Sequence, residues 1–214
     1  MDNHASMGPE PRGGGMYVNG GSPVITGCTF FENTVGTLMP AVSAIGGGLY
    51  LEQSEADVRN CTFLGNVVVA DMPAPAVSAV GGALAIVGGN SLILDCTFNG
   101  NSVSATTADL PDYSAQVMGG AIINLIGYAR VFSGTFCGNT ATASPHAYEA
   151  VGAAIANLSP FFTVTRRSTT GAECGTADGS TPLPEARHSS TAPSPETRPR
   201  RVAECTTILA PARR

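Results

Sequence analysis

The chain has no lysine and no tryptophan, and its charged residues make up only 13% of 214 positions, against about 25% in an ordinary globular domain. No run approaches the roughly 18 apolar residues of a membrane-spanning helix, so none is expected. The opening residues MDNHASMGPEPRGGG lack a basic region followed by an apolar one, so no signal peptide is visible. Clustered carboxylates with a basic partner are missing too, which removes the usual machinery of acid–base glycan chemistry. His4, His146 and His188 are far apart and have no metal-ligand spacing. No cofactor motif is present, so no cofactor is expected.

Charge is uneven. Residues 1–164 hold 3 Arg and 11 acidic residues (3 − 11 = −8), whereas residues 165–214 hold 8 Arg and 5 acidic residues (8 − 5 = +3), which together make the net −5. An acidic body lacks the basic face that phosphate binding requires, so nucleic acid is not an expected partner.

What the chain has in abundance is glycine, 26 residues, and it falls in register. Gly-Gly opens a block at Gly13, Gly46, Gly81 and Gly119, and Gly152 opens a degenerate fifth copy. Each of the first four blocks closes on Phe-x-x-Asn: Phe30 to Asn33, Phe63 to Asn66, Phe98 to Asn101 and Phe136 to Asn139. From first glycine to asparagine is 20 residues every time, while the linker to the next glycine runs to 13, 15, 18 and 13. A rigid core with an elastic linker is what stacked coils require, because the core must match its neighbour and the loop need not.

Within the block, Met16/Val18, Leu49/Leu51 and Leu84/Ile86 alternate at period two and so form a strand. A second strand aligns Ile25, Val58, Ile93 and Val131. The phenylalanines follow five residues later, an odd interval that one flat strand cannot hold on one face. A corner is therefore expected at Gly27, Asn60, Asp95 and Ser133. Beyond it, Cys28, Cys61 and Cys96 share the inward face with the phenylalanines, and Thr29, Thr62, Thr97 and Thr135 point outward. Val35, Val68, Val103 and Ala141 mark a third short strand after the asparagines.

The expected fold is thus an all-β parallel β-helix, or solenoid, of four to five coils with three short strands per coil. It occupies residues 13–164, between a disordered N-terminus (1–12) and a disordered tail rich in Pro, Ser and Arg (165–214). Stacking places like residues over like, so Asn33, Asn66, Asn101 and Asn139 should form a hydrogen-bonded ladder beside stacks of Phe and of Cys thiols.

Gly81-Gly82-Ala83-Leu84 and Gly119-Gly120-Ala121-Ile122, each paired with Phe-x-x-Asn, resemble the repeat of the chlamydial polymorphic outer-membrane proteins. The resemblance covers about residues 13–157. It implies a right-handed parallel β-helix, secretion or cell-surface display, and adhesin-like activity. The family's C-terminal membrane barrel has no counterpart in this sequence.

The linkers carry what functional signal remains. Leu38 to Ile45, Asp71 to Val80, Asp109 to Met118 and Ser144 to Val151 occupy the same place in each coil and should project along one edge. Asp109, Asp112, Tyr113, His146, Tyr148 and Glu149 are its candidate contacts for a protein or glycan. The expectation is a non-catalytic surface or extracellular protein, structural or adhesin-like, with adjoining coils in a longer chain. The alternative is a fragment of a carbohydrate-active, pectate-lyase-like β-helix without its catalytic coils; Asp57, Asp95 and Arg130 are the residues that could share one of its faces.

Overall fold

A computed structural model describes residues 3–5, 11–36, 43–71, 76–107, 114–144, 147–159 and 162–165. The chain is an all-β parallel solenoid, with no helix among these residues. The tail from residue 166 lies outside them, as do residues 1–2 and 6–10 of the expected disordered N-terminus.

Each turn visits five sheets in the same order. The first holds Met16–Asn19, Leu49–Glu52, Leu84–Val87, Ile122–Asn124 and Ile155–Asn157; the second Val24–Thr26, Asp57–Arg59, Asn90–Leu94, Tyr128–Phe132 and Phe162–Thr165. The third holds Thr29–Phe31, Thr62–Leu64, Thr97–Asn99 and Thr135–Cys137. The fourth holds His4–Ala5, Thr34–Gly36, Val67–Asp71, Ser102–Thr106 and Thr140–Ser144; the fifth Ser43–Ile45, Ala76–Val80, Ser114–Met118 and Ala147–Val151. All neighbours are parallel, and like residues stand opposite like: Phe30↔Phe63, Phe63↔Phe98 and Phe98↔Phe136.

Five strands per turn replace the three that the repeat suggests, for two physical reasons. The corner ahead of the phenylalanines forms where expected, with Gly27, Asn60, Asp95 and Ser133 in left-handed conformation (φ 62, 50, 52 and 54°). A second such corner follows at Glu32, Gly65, Gly100 and Gly138 (φ 51 to 63°), one residue before each asparagine, and cuts the Phe strand off from the fourth sheet. In addition, the back half of each linker is itself a strand. Ala44, Val77, Ala79, Ala115 and Val117 of the fifth sheet are buried, and they pack against Val35, Val68, Ala70, Val103 and Ala105 of the fourth.

The interior is consequently divided. Sheets one to three enclose the main core, built on Leu49, Leu51, Leu84, Ile86, Ile93, Val131 and the phenylalanines. Sheets four and five close on each other as a two-layered fin filled by Ala and Val, side chains short enough for two sheets to approach. A smaller cluster of Tyr50, Val80, Ala85, Met118 and Ile123 seals the angle between fin and body. This explains why Leu49-Tyr50-Leu51 is buried on both faces where simple alternation leaves Tyr50 outside.

The N-terminus also departs from expectation. His4–Ala5 pairs with Thr34–Val35, and Arg12 bridges to Ile45, so part of the segment read as disordered continues the stack. Arg12 reaches further, to Glu52 at 3.3 Å and over the ring of Tyr50, while the Tyr17 hydroxyl donates to the same Glu52 carboxylate. That bond, which favours the protonated phenol, raises the Tyr17 pKa.

Candidate functional site

The stacked columns decide what the repeated residues can do. Asn66 accepts at Oδ1 from both the backbone N–H (3.1 Å) and the Nδ2 (2.8 Å) of Asn33, and donates through Nδ2 to Phe30 O (2.9 Å) and Asn101 Oδ1 (2.9 Å). Asn101 repeats the pattern toward Asn139 and Phe63. The amide column thereby closes the corner between the third and fourth sheets, where turning the chain leaves backbone groups without a ladder partner. Sequence reading missed its first rung: Asn3 donates from Nδ2 to Asn33 Oδ1 (3.1 Å). Its signal was an asparagine ten residues ahead of Gly13 with no preceding phenylalanine to identify it.

Beside the amides, Phe30, Phe63, Phe98 and Phe136 stack with centroids 4.7, 4.7 and 4.8 Å apart and planes within 7° of parallel. The strand spacing fixes that distance, so the rings overlap face to face because the backbone registers them.

Cys28, Cys61 and Cys96 are free thiols in one column, and each S–H points at a backbone carbonyl oxygen, Cys61 at Arg59 O (3.2 Å) and Cys96 at Leu94 O (3.4 Å). Burial pushes the Cys61 thiol up and the Cys96 thiol up to about 12. Neither can supply thiolate near neutral pH, so these sulfurs behave as small apolar groups. With iodoacetamide near neutral pH, half-exposed Cys28 should be carboxamidomethylated first, while Cys61 and Cys96 stay unmodified until denaturant is added; site-resolved mass spectrometry checks this. The same shift has a stability consequence. The folded state holds the Cys96 proton more tightly than the unfolded chain does, so this contribution is present below pH 9.0 and fades as pH rises toward about 12. Urea midpoints should fall across that window. Cys137, on the outer face, is disulfide-bonded.

The acidic candidates do not converge. Asp57 and Arg130 both stand in the second sheet, in register but with Leu92 between them. Asp57 is taken up by Arg59 in a two-pronged ion pair (Nε to Oδ1 and Nη2 to Oδ2, each 2.6 Å), which holds its carboxyl below the usual range. Asp95 sits apart at a left-handed corner. No group of three or more His, Cys, Asp and Glu able to hold a metal occurs among the described residues.

Two further asparagines line up on the first sheet, where Asn124 donates to Asn157 Oδ1 (2.8 Å) and to Gly127 O (3.0 Å). Asn157 is buried and donates to Ser159 O, although Asn157-Leu158-Ser159 reads as a glycosylation sequon. The other sequon, Asn60-Cys61-Thr62, places Asn60 on an exposed corner. Expression through a eukaryotic secretory pathway should therefore add glycan at Asn60 and leave Asn157 bare, as read by endoglycosidase shift and peptide mapping.

Of the candidate edge residues, Asp109, Asp112, Tyr113 and His146 lie outside the described residues. Tyr148 and Glu149 fall within the fifth-sheet strand Ala147–Val151 instead of a projecting loop. Glu149 pairs with Gln116, and Tyr148 is the extra residue of a bulge between Ala147 and Glu149. The strands flanking the remaining linkers are held rung over rung: Asp71 stands beside Thr106, and Ala76 beside Ser114. The free margin of the fin is therefore where each linker begins and ends.

Comparison with protein-family models, with curated proteins and with solved structures finds no match to this chain.

Proposed function

We propose that this chain is a non-catalytic solenoid that displays the margin of its fin to a protein or glycan outside the cell or at its surface, in a structural or adhesin-like role. One observation carries the reading. The fourth- and fifth-sheet strands hold the ends of successive linkers in register, while the repeated Phe and Asn residues are spent on stacking. Variation in linker length is thus confined to one margin, the arrangement by which repeat proteins present a binding edge. The resemblance of the Gly-Gly-Ala and Phe-x-x-Asn motifs to surface-protein repeats supports the same reading.

The test is a glycan array and a panel of immobilised extracellular-matrix proteins, probed with labelled chain and with a variant carrying a short Gly-Asn linker in place of residues 108–113. Binding that disappears in the variant while its melting curve is unchanged supports the proposal. Equal binding by both, or release of unsaturated sugars from pectin by the wild-type chain, overturns it.

A further inference from the structure

The two ends of the stack are complementary in outline. At one end His4–Ala5 and the Arg12 bridge occupy an extra rung on the fourth and fifth sheets, leaving Met16–Asn19, Val24–Thr26 and Thr29–Phe31 as edge strands of the first three among the described residues. At the other end Ile155–Asn157 and Phe162–Thr165 occupy an extra rung on the first and second sheets, and the described strands of the other three stop one rung short. A second copy laid head to tail would merge the two part-rungs into one, with a gap only on the third sheet.

The leading edge is chemically ready for this. Met16 and Tyr17 are 39% and 46% exposed, where their counterparts one turn inward, Leu49 and Tyr50, are 0% and 1%. Backbone donors face the same way: Asp57 N–H donates to Pro23 O in the preceding turn, so the equivalent Val24 N–H points at a rung that no described residue fills.

One side chain opposes the union. At the second position of the glycine pair, Gly14, Gly47, Gly82 and Gly120 lie directly against the carbonyl oxygens of Gly47, Gly82, Gly120 and Ala153, closer than any Cβ tolerates. The fifth copy carries a methyl group at this position, on exposed Ala153. In a head-to-tail pair the oxygen arriving there belongs to Gly14 of the second copy. We propose that Ala153 is a steric stop that prevents copies of this chain from stacking end to end into a fibre, the standing hazard of open sheet edges and non-closing contacts.

Sedimentation velocity and light scattering across a concentration series test this on the full chain. Wild type is expected to stay monomeric, and Ala153→Gly to show a weight-average mass that climbs with concentration beyond a dimer. Ala154→Gly, which trims the adjacent methyl without opening the stacking position, should stay monomeric. Adding Val24→Pro to Ala153→Gly removes the waiting edge donor and should restore the monomer. A monomeric Ala153→Gly with an unchanged circular dichroism spectrum overturns the proposal, and so does assembly of wild type or of Ala154→Gly.

Discussion

Gly82→Ala should destabilise the solenoid by about 3 kcal/mol, the upper end of what overpacking costs, although alanine normally favours order over glycine. The new Cβ would sit against Gly120 O of the next turn and 2.8 Å from Ser102 O. Both are backbone atoms, Ser102 in a strand and Gly120 in a corner hydrogen-bonded to the next turn, so neither yields as a side chain would. The first and fourth sheets must part at that rung, and the rung lies mid-stack, where each turn depends on its neighbours for its buried face. Unfolding in urea should shift to a lower midpoint and lose steepness as the halves uncouple. Gly100→Ala is the control. Its φ is +63° with no atom within 4 Å of an added Cβ, so only left-handed backbone strain of about 1 kcal/mol applies. Equal midpoints for the two variants would show that contact between turns does not set the requirement for glycine.

That contrast also shows what could be read without coordinates. The invariant 20-residue interval from Gly13 to Asn33 and its three repeats fixed which residues share a column, and columns are all a parallel stack needs. The Phe, Asn and Cys ladders, the corner at Asn60 and the solenoid itself were legible on that basis. The fin was not, because its fifth sheet lies within linkers of unequal length. An Ala-Val alternation such as Ala76-Val77-Ser78-Ala79 carries little apolar weight of its own until a second sheet closes on it. The two residues between Phe and Asn were likewise opaque. Glu32 adopts the conformation that Gly65, Gly100 and Gly138 adopt, so composition alone hid a turn that backbone geometry makes plain. The candidate binding edge was legible as a place but not as a set of contacts. Periodicity locates where a chain is free to vary; it is silent on how variable residues are arranged, and it put Tyr148 and Glu149 in a loop when they lie in a strand.

Asn66→Ala should cost a comparable amount, about 3 kcal/mol, through groups left stranded more than through bonds lost. The substitution deletes four hydrogen bonds. Asn101 Oδ1 survives the loss, because the Asn66 backbone N–H still donates to it at 3.0 Å. The Asn33 N–H and the Asn33 Nδ2 keep no partner among these bonds, at a corner where Asn33 is 2% and Asn66 0% exposed, whereas the Phe30 carbonyl stays within the parallel pairing of Thr29–Phe31 with Thr62–Leu64. Two orphaned groups at about 1.5 kcal/mol each give the estimate, within the usual cost for a buried group. Asn139→Ala deletes an equivalent set, the bonds from the Asn101 N–H and Nδ2 and the one to Phe98 O, but at a half-buried rung. Only the buried Asn101 N–H is stranded there, because Asn101 Nδ2 still donates to Phe63 O at 3.1 Å, so the cost should be about half that of Asn66→Ala. Chemical denaturation of the two variants side by side tests the ladder directly. Equal midpoint shifts would mean that the column is held by its strands and that the amides contribute nothing by being linked.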